Sequence, residues 1–308
     1  MKRLEDFRIY YNHTIHPELL RLERKRLRLL RLLFFSTVLV LALLAFELYV
    51  GILAITLFMM IPIGFYIAYL LYRIRQFVQT FKPNIMNLIL DFIDDSINYG
   101  TLKYDSKRSI TKQQFFASRL FKTSASYFKG EDYIEGKIGS LDFELCELFV
   151  REMSPVRNQM DYVFKGVFLH AVFSEDLRGE VAIWPREYRQ FLTRSIKAFT
   201  WSGAKNVDHE ILNNAFRERF ITYATEHTYV AGILSEPMQQ ALVNYCEQTG
   251  KEVYISVIGK DIYTAITEPR NILEPNIFKS NLSFELVREF FEDIYVILSI
   301  IEDFDKMH

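Results

Sequence analysis

The chain has 308 residues, of which half are hydrophobic and 15% aromatic, and its formal net charge at pH 7 is −1. The charge is uneven, because residues 1–72 hold nine Lys and Arg against five Asp and Glu, whereas the remaining residues hold 28 against 33. The acidic balance of this larger part argues against a nucleic-acid-binding protein, and two cysteines exclude a disulfide framework and agree with a reducing cytoplasm.

Residues 1–31 predict a basic amphipathic lead-in helix. Pro17 fits the first turn of a helix, and from Glu18 onward leucines are interspersed with arginines, which is typical of a helix with one apolar face. Such a helix can lie on lipid headgroups or pack against the soluble part of the chain, and the sequence leaves both placements open.

Residues 32–72 predict a transmembrane helical hairpin. These 41 residues carry a single charge, Glu47, and as one helix they would run roughly 60 Å, about twice the thickness of a bilayer core. Two spans, near Leu32–Phe46 and Tyr49–Tyr72, fit the bilayer better. Glu47 and Gly51 would then mark a short turn at the headgroups, where a carboxylate is tolerated.

Basic residues flank this hairpin on both sides, whereas its turn carries none. By the positive-inside rule, we expect a multi-pass protein of the cell (inner) membrane with both termini in the cytoplasm. A soluble core seldom contains so long an uncharged run, and a signal peptide would be shorter and followed by a small-residue cleavage site. The flanking residues are Arg21, Arg24, Lys25, Arg26, Arg28 and Arg31 before the hairpin, and Arg73, Arg75 and Lys82 after it.

Residues 73–125 predict membrane-proximal helices. Lys82-Pro83 is expected to restart a helix whose apolar residues recur at helical spacing, and Gly100 ends that helix. A short extended segment is expected at Leu102–Tyr104, and Thr111 caps a further helix.

Residues 126–308 predict a soluble cytoplasmic domain of alternating strands and short helices. The fold class is therefore α+β, with an N-terminal two-helix transmembrane hairpin followed by a mixed, mainly antiparallel sheet and packed helices. The first predicted strands are a hairpin of Tyr133–Ile138 and Leu141–Val150 around Gly139-Ser140, and a central strand Val163–Phe173 paired with Gly179–Trp184. Helices and a strand then alternate, namely a helix from Asp208 to Asn214, a strand Phe220–Tyr223, a helix Glu226–Ile233 and a helix from Ser235 to Gly250. The last predicted elements are a hairpin of Val253–Ile258 and Ile262–Thr267, a polar loop with Pro269 and Pro275, and a long helix capped by Ser283.

Histidines and cysteines form no cluster with the spacing of a metal or catalytic site. His170 lies inside an apolar strand, where a histidine held by its neighbours is far more common than a metal ligand. Asp208-His209-Glu210 and Glu226-His227 are adjacent residues that point in different directions, so we expect a helix cap with solvated neighbours. Cys146 and Cys246 lack a thiolate or histidine at ligand spacing and are expected to be small buried side chains.

The carboxylate pairs Asp94-Asp95 and Glu292-Asp293 are expected on polar faces of helices. The sequence contains no serine-hydrolase, zinc-protease, phosphate-loop or dinucleotide-binding motif. It therefore predicts no catalytic residue, no cofactor and no metal site.

Several longer segments look like parts of one known family. They are the lead-in HPELLRLERKR, Glu131–Leu148, Phe164–Phe173, Asn214–Leu242 and the VYISVIGKDIYTAI that follows it. Over nearly its whole length the chain resembles the bacterial, membrane-anchored family known as domain of unknown function 3137. That family has no established activity, so the resemblance implies no functional residue. Some members are encoded near LemA-type membrane proteins, which implies a membrane-protein partner of that kind.

These features favour a non-enzymatic, membrane-anchored module whose cytoplasmic domain binds a protein or the membrane surface. The alternatives are a membrane-tethered hydrolase acting on lipid or envelope precursors, and a subunit of a larger membrane assembly. A deep pocket with converging polar groups of displaced pKa would favour the enzyme, and a shallow apolar patch would favour binding. The expected partners are the lipid bilayer and a LemA-type protein, not nucleic acid, and the oligomeric state is left open.

Overall fold

A computed structural model describes residues 4–51, 53–95, 99–139, 141–154, 157–173, 179–268 and 274–307. The chain divides into two compact units, one with residues 1–92 and 273–289 and one with residues 93–272 and 290–308. The domain boundaries predicted after residues 31, 72 and 125 stay predictions. Ser140 of the predicted turn and Pro269 of the predicted loop lie outside the described residues.

One uninterrupted helix forms the beginning of the first unit. α1 (Leu4–Tyr10) continues through a π-helical turn (Tyr11–Ile15) into α2 (His16–Val50), so the predicted lead-in and first span are parts of the same helix. Gly51 ends α2 in the left-handed conformation, with a φ of +70°, and its N–H donates to the Glu47 carbonyl at 2.8 Å. Glycine adopts this conformation without the steric cost that a Cβ atom brings.

α3 (Leu53–Asp94) is also longer than the sequence predicted. The helix restart expected at Pro83 is wrong, because α3 passes through both Pro62 and Pro83. A proline removes one backbone donor and bends the helix locally, which packing elsewhere along a long helix can outweigh. The break between the two helices follows Val50, so Tyr49 belongs to α2 and not to the second predicted span.

Both long helices expose apolar side chains along much of their length. Each is long and apolar enough to cross a membrane, and only 11% and 6% of their most apolar 18-residue stretches are buried. Phe34, Phe35 and Phe58 are among the exposed side chains. A helix from the core of a soluble protein would be mostly buried, so the exposed surface suggests association with a membrane.

The other end of the first unit has a packed aromatic core. Phe7 of α1 lies 5.3 Å from Phe92 of α3, and Tyr11 lies 4.9 Å from Phe284, both measured between ring centroids. Phe284 is the first residue of α9 (Phe284–Met307), the helix that Ser283 was predicted to begin. Contacts of this kind hold α1 and the start of α2 against the rest of the unit.

Arg26 ties the lead-in helix to the rest of the first unit, and the placement of this helix on lipid headgroups stays a prediction. Its side chain is buried, with its Nε and Nη2 atoms donating to Glu23 at 2.9 and 2.6 Å and Nη1 donating to the Ile277 carbonyl at 2.6 Å. By contrast, Arg24, Lys25 and Arg28 are exposed. The helix therefore packs on its own unit through one basic residue and turns the others outward.

Nine strands of the second unit, within the part of the chain described here, form one open antiparallel sheet. Their order is β1-β2-β3-β4-β9-β8-β5-β7-β6, which confirms the α+β class and the predicted hairpins. The expected pairing of Gly179–Trp184 with Val163–Phe173 is wrong, since β4 lies between β3 and β9. The strands are β1 (Tyr99–Asp105), β2 (Tyr127–Ile138), β3 (Leu141–Met153), β4 (Met160–Val172), β5 (Glu180–Pro185), β6 (Lys205–Asn206), β7 (Phe220–Ala224), β8 (Val253–Ile258) and β9 (Asp261–Thr267).

Short helices connect these strands, and several begin and end where their caps predicted. Thr111 caps α4 (Lys112–Ala117), and Ser235 and Gly250 bound α8 (Glu236–Thr249). The helix expected from Asp208 to Asn214 is wrong, because Asp208 begins a single 3-10 turn and Asn213 caps the next helix instead. The helices are α4 (Lys112–Ala117), α5 (Thr193–Thr200), α6 (Asn214–Arg219), α7 (Val230–Ile233), α8 (Glu236–Thr249) and the larger part of α9.

An aromatic core fixes α4 and the loop after it against one face of the sheet. Phe115 and Phe121 stack with their ring centroids 5.5 Å apart and contact Phe164 and Phe168 of β4. The indole N–H of Trp184 donates to the Leu120 carbonyl at 3.0 Å, which ties the loop to β5. This packing carries α4 over the sheet next to the polar end of β3, β4 and β9.

Candidate functional site

Three neighbouring strands bring a histidine between two carboxylates at one end of the sheet. In the strand register Glu144 of β3 lies opposite His170 of β4, and His170 lies opposite Tyr263 of β9. Directly opposite residues share a face of the sheet, so these three side chains form a row. Asp261 begins β9 two residues before Tyr263 and therefore lies diagonally from His170 on the same face.

Both ring nitrogens of His170 are engaged. Nδ1 lies 2.9 Å from Oε1 of Glu144, and Nε2 lies 2.6 Å from Oδ1 of Asp261. The imidazole also stacks on the Tyr263 ring, with centroids 4.8 Å apart and planes inclined by 12°. The histidine is thus held on the sheet face by its neighbours, as the sequence predicted for His170.

The surroundings favour the charged form of each partner. Burial lowers the pKa of His170, but its hydrogen bonds and the negative charges of Glu144 and Asp261 outweigh burial, so the pKa lies above the usual 6.5. Burial raises the pKa of Glu144, and the hydrogen bonds from His170 and Tyr133 bring it below its usual value. An imidazolium that donates from both nitrogens to carboxylates accounts for the two directions.

Glu144 is the centre of this hydrogen-bond network. The Tyr133 hydroxyl donates to Oε2 of Glu144 at 2.6 Å, and the side-chain amide of Gln114 on α4 donates to Oε1. Burial and the neighbouring Glu144 raise the pKa of Tyr133, so its hydroxyl stays a donor. Above the Tyr133 ring lies the guanidinium of Arg108, 4.0 Å from the ring centroid.

A cavity of about 310 Å³ opens beside the network. This volume is near the lower end of the roughly 300–1,000 Å³ typical of small-molecule sites. Several of its charged residues form ion pairs. Nζ of Lys137 lies 3.1 Å from Oδ1 of Asp142, and Nη1 of Arg108 lies 2.6 Å from Oε2 of Glu135. We call it the His170 cavity, and its lining includes Lys103, Glu135, Lys137, Asp142, Glu144 and His170.

The His170 cavity presents paired charges and a histidine whose two ring nitrogens are both engaged. Neither ring nitrogen is free to accept a proton from a substrate unless Glu144 or Asp261 moves away from the imidazole. The mixed, paired charges around it can instead exchange partners with a polar ligand that carries both donors and acceptors.

A second buried ionic cluster joins α8, β9 and α9. Nζ of Lys251 lies 2.6 Å from both carboxylate oxygens of Asp293 and 2.7 Å from Oε2 of Glu268, and the Tyr245 hydroxyl donates to Asp293 at 3.1 Å. The Lys251 side chain is only 12% exposed, yet the two carboxylates hold its pKa above the usual value against burial. The expectation that Asp293 lies on a polar helix face is wrong, because this side chain is buried.

Three carboxylates also converge on β2 and β3. A register shift in β2 places Glu131 and Asp132 beside Glu147, and one oxygen from each lies within 4.8 Å of the others. The Tyr104 hydroxyl donates to Oδ1 of Asp132, and Nζ of Lys129 lies 2.9 Å from Oε2 of Glu131. These residues could offer oxygen ligands to a cation, although acidic groups often converge without one. The sequence prediction of no metal site stays a prediction.

The remaining candidates from the sequence do not converge on a site in the described part of the chain. Cys146 and Cys246 are buried, and burial raises the pKa of the Cys146 thiol to about 12, so it is a small inert side chain as predicted. Asp208 accepts from the Thr222 backbone N–H at 2.8 Å and from Arg186 at 2.7 Å, while His209 beside it is exposed. Glu226 pairs with Lys205 at 2.6 Å on the surface.

Sequence reasoning found His170 but missed its partners. Glu144 was visible as a polar residue on a half-buried strand, and Asp261 as the last residue of a predicted turn. Predicting that Glu144, His170 and Asp261 lie together requires knowing that β4 pairs with β9. The sequence pattern instead suggested β5 as the neighbour of β4. Tyr133 and Gln114 carried no local signal at all.

Comparison with known proteins supports a family but no activity. A family model described as "Protein of unknown function (DUF3137)" matches residues 162–306, from β4 to α9, which is narrower than the nearly full-length resemblance expected. No curated protein matches the chain significantly. The crystal structure of the mycobacterial trehalose monomycolate transport factor A, TtfA, is similar over 63% of this chain and 88% of that one, at 10% identity and a TM-score of 0.29. A likeness at that TM-score carries no argument about function.

Proposed function

Residues 162–306 belong to the DUF3137 family, whose description assigns no activity, and from this premise we propose that the protein is a membrane-anchored module that binds a polar ligand or partner through its sheet domain. Its anchor is the pair of helices α2 and α3. The sheet domain, with the His170 cavity, lies in the cytoplasm. Both termini lie there too.

The exposed apolar surface of α2 and α3 carries this proposal. The most apolar stretches of these helices are only 11% and 6% buried. Each large apolar side chain left in water forgoes about 1.5–3 kcal/mol of burial free energy, so a surface of this size needs a covering. A lipid bilayer supplies one, and both helices are long and apolar enough to cross it. The basic residues on either side of the hairpin, with none in its turn, support the cytoplasmic placement of both ends.

Alkaline carbonate extraction of membranes tests the anchor. We expect the full chain to remain in the membrane pellet after carbonate and to be released only by detergent. A variant in which residues 32–72 are replaced by a flexible polar linker should move to the soluble fraction. Recovery of the unaltered chain in the carbonate supernatant would contradict the anchor.

The His170 network supports binding over catalysis in the sheet domain. Both ring nitrogens are occupied, and the surrounding charges are already neutralised in pairs. A ligand with both acidic and basic groups, such as a polar segment of a protein, can replace these pairs one for one. The partner that the family resemblance implies, a LemA-type membrane protein, belongs to this class of proposal. Crosslinking in native membranes, with and without a Lys103→Glu/Lys137→Glu exchange, should show loss of that partner in the variant only.

A membrane-tethered hydrolase is the second candidate. The observation that favours it is the convergence of His170, Glu144 and Tyr133 with displaced pKa values in one cavity. Asp261, whose side chain is 39% exposed, would have to release Nε2 before the histidine could act as a base. Hydrolysis of a chromogenic ester by the purified chain, abolished by His170→Gln and raised by Asp261→Asn, would favour the hydrolase over the binding module.

A further inference from the structure

Two cavities follow one another along a single seam between α2 and α3. The first, of about 540 Å³, is lined by basic residues over an apolar floor of Leu20 and Leu29. The second, of about 350 Å³, is apolar except for Ser36 and Tyr66 in its lining. We call them the basic cavity and the apolar cavity. The basic cavity is lined by Arg21, Arg24, Lys25, Arg28 and Arg73, and the apolar cavity by Leu32, Phe35, Leu39, Pro62, Ile63 and Tyr66.

Helical spacing places the two cavities on the same side of the helix pair. Arg21 and Leu39 of α2 are 18 residues apart, which at about 3.6 residues per turn is five whole turns. Arg73 and Pro62 of α3 are 11 residues apart, or close to three turns. A molecule seated in the basic cavity can therefore extend straight into the apolar cavity.

The charge of the basic cavity is only partly compensated. Glu18 lies 3.3 Å from Arg21, at the rim of the cavity. Within the described ranges of the chain, no acidic side chain forms an ion pair with Arg24, Lys25 or Arg28. Three guanidinium or ammonium groups are thus available to one anion, and guanidinium groups suit phosphate because they can donate two parallel hydrogen bonds.

The length of the seam distinguishes a lipid from a small anion. From Arg28 to Leu39 the helix rises about 16 Å, comparable to an extended acyl chain. A free phosphate ester would use the basic cavity alone and leave the apolar one without an occupant. The position of the basic cavity also fits, since it lies where both predicted spans reach the cytoplasmic headgroups.

We propose that this seam is a binding site for one anionic phospholipid, with its phosphate in the basic cavity and an acyl chain in the apolar cavity. The inference rests on the proposed anchoring of α2 and α3 in a bilayer. It goes beyond general attraction to anionic headgroups, because it assigns the lipid to one face of the helix pair.

Native mass spectrometry of the detergent-solubilised full chain tests the site. The probes are dioleoyl-phosphatidylglycerol, dioleoyl-phosphatidylcholine and glycerol 3-phosphate. We expect one retained phosphatidylglycerol per chain, little phosphatidylcholine, and no displacement by excess glycerol 3-phosphate. Arg28→Gln/Arg73→Gln should weaken phosphatidylglycerol binding at least about tenfold.

The matched control is Arg31→Gln/Arg75→Gln, which removes the same charge from the same two helices at nearly the same depth. Both control side chains are exposed and line neither cavity. This variant should bind phosphatidylglycerol as the unaltered chain does, and Leu39→Trp, which fills the apolar cavity, should weaken binding without any change of charge.

Equal binding by the two double variants, or displacement by glycerol 3-phosphate, would overturn the lipid site. The carbonate extraction described above separates this result from failure of the anchor. A chain that stays in the carbonate pellet but shows no difference between the variants keeps the anchor and loses the lipid site. Release by carbonate would remove the basis of both proposals.

Discussion

The Nε2 atom of His170 lies 2.6 Å from Oδ1 of Asp261, although the two residues are 91 positions apart in the chain. β4 and β9 are neighbours in the sheet, and their pairing brings the two side chains together. With Glu144 on the other ring nitrogen, the histidine links three strands that come from distant parts of the sequence. The contacts of one imidazole therefore connect the ends of β3, β4 and β9.

This link should make the stability of the protein depend on pH in a defined direction. A histidine whose pKa is raised by folding stabilises the folded state fully below its unfolded pKa of about 6.5, and the contribution is lost as the pH rises through the folded pKa. We expect His170→Gln to cost about 2–3 kcal/mol at pH 6 and less at pH 9. Melting curves of the purified chain at the two pH values measure the difference.

His209→Gln is the control for this prediction, because the His209 side chain is 76% exposed and should affect neither melting curve. A cost of His170→Gln that is the same at pH 6 and pH 9 would show that folding does not raise the pKa of His170 and would contradict the prediction.

Lys251 should be among the most sensitive positions in the second unit. Removing one partner of a buried ion pair leaves the other charge uncompensated and costs about 3–5 kcal/mol, so Lys251→Met should lower the melting temperature strongly. Lys251→Met combined with Asp293→Leu should cost less than the sum of the two single changes, because the pair is then removed together. Lys205→Met removes an exposed partner of Glu226 and should leave the melting temperature unchanged. Additive single costs would contradict the coupling.

The basic residues of the lead-in helix should separate into two classes. Arg26→Gln breaks a buried pair with Glu23 and should lower the stability of the protein by about 3 kcal/mol with no change in orientation. Replacing the exposed Arg24, Lys25 and Arg28 by Gln should leave the melting temperature unchanged but produce a mixture of orientations in the membrane. Melting curves and protease protection in sealed vesicles measure the two effects on the same samples. A uniform orientation of the triple variant would contradict the second part.

Reporter fusions test the orientation itself. A reporter fused at Met1 or at His308 should be active in the cytoplasm, and one inserted at Glu47 should be active on the opposite side, because two spans return the chain to its starting side. Activity of the fusion at His308 outside the cytoplasm would contradict a two-span hairpin.

Local patterns in the sequence were enough to predict most of the helices and strands. Thr111, Ser235 and Gly250 bound helices through hydrogen bonds or backbone conformations that involve only a few neighbouring residues. The hairpin of β8 and β9 follows from alternation around a short turn. Such features depend on spacing within one stretch of chain, so they could be predicted with no knowledge of the rest.

Features that depend on distant partners could not be predicted in this way. An aspartate on a helix suggests a solvated face, but Asp293 is buried because Lys251, from another part of the chain, neutralises it. Pro83 suggests a helix end, yet α3 continues through it. The partners of His170 depend on which strand lies beside β4, and the apolar character of the strands fits several neighbours equally well.

The two outermost strands of the sheet have a consequence for self-association. β6 offers only Lys205 and Asn206 for pairing, and β1 carries an irregular register between Gly100 and Lys103. A second copy of the chain would find no long, regular row of backbone donors and acceptors on which to add a strand. Short, irregular and lysine-bearing outer strands of this kind discourage edge-to-edge aggregation between copies of the chain.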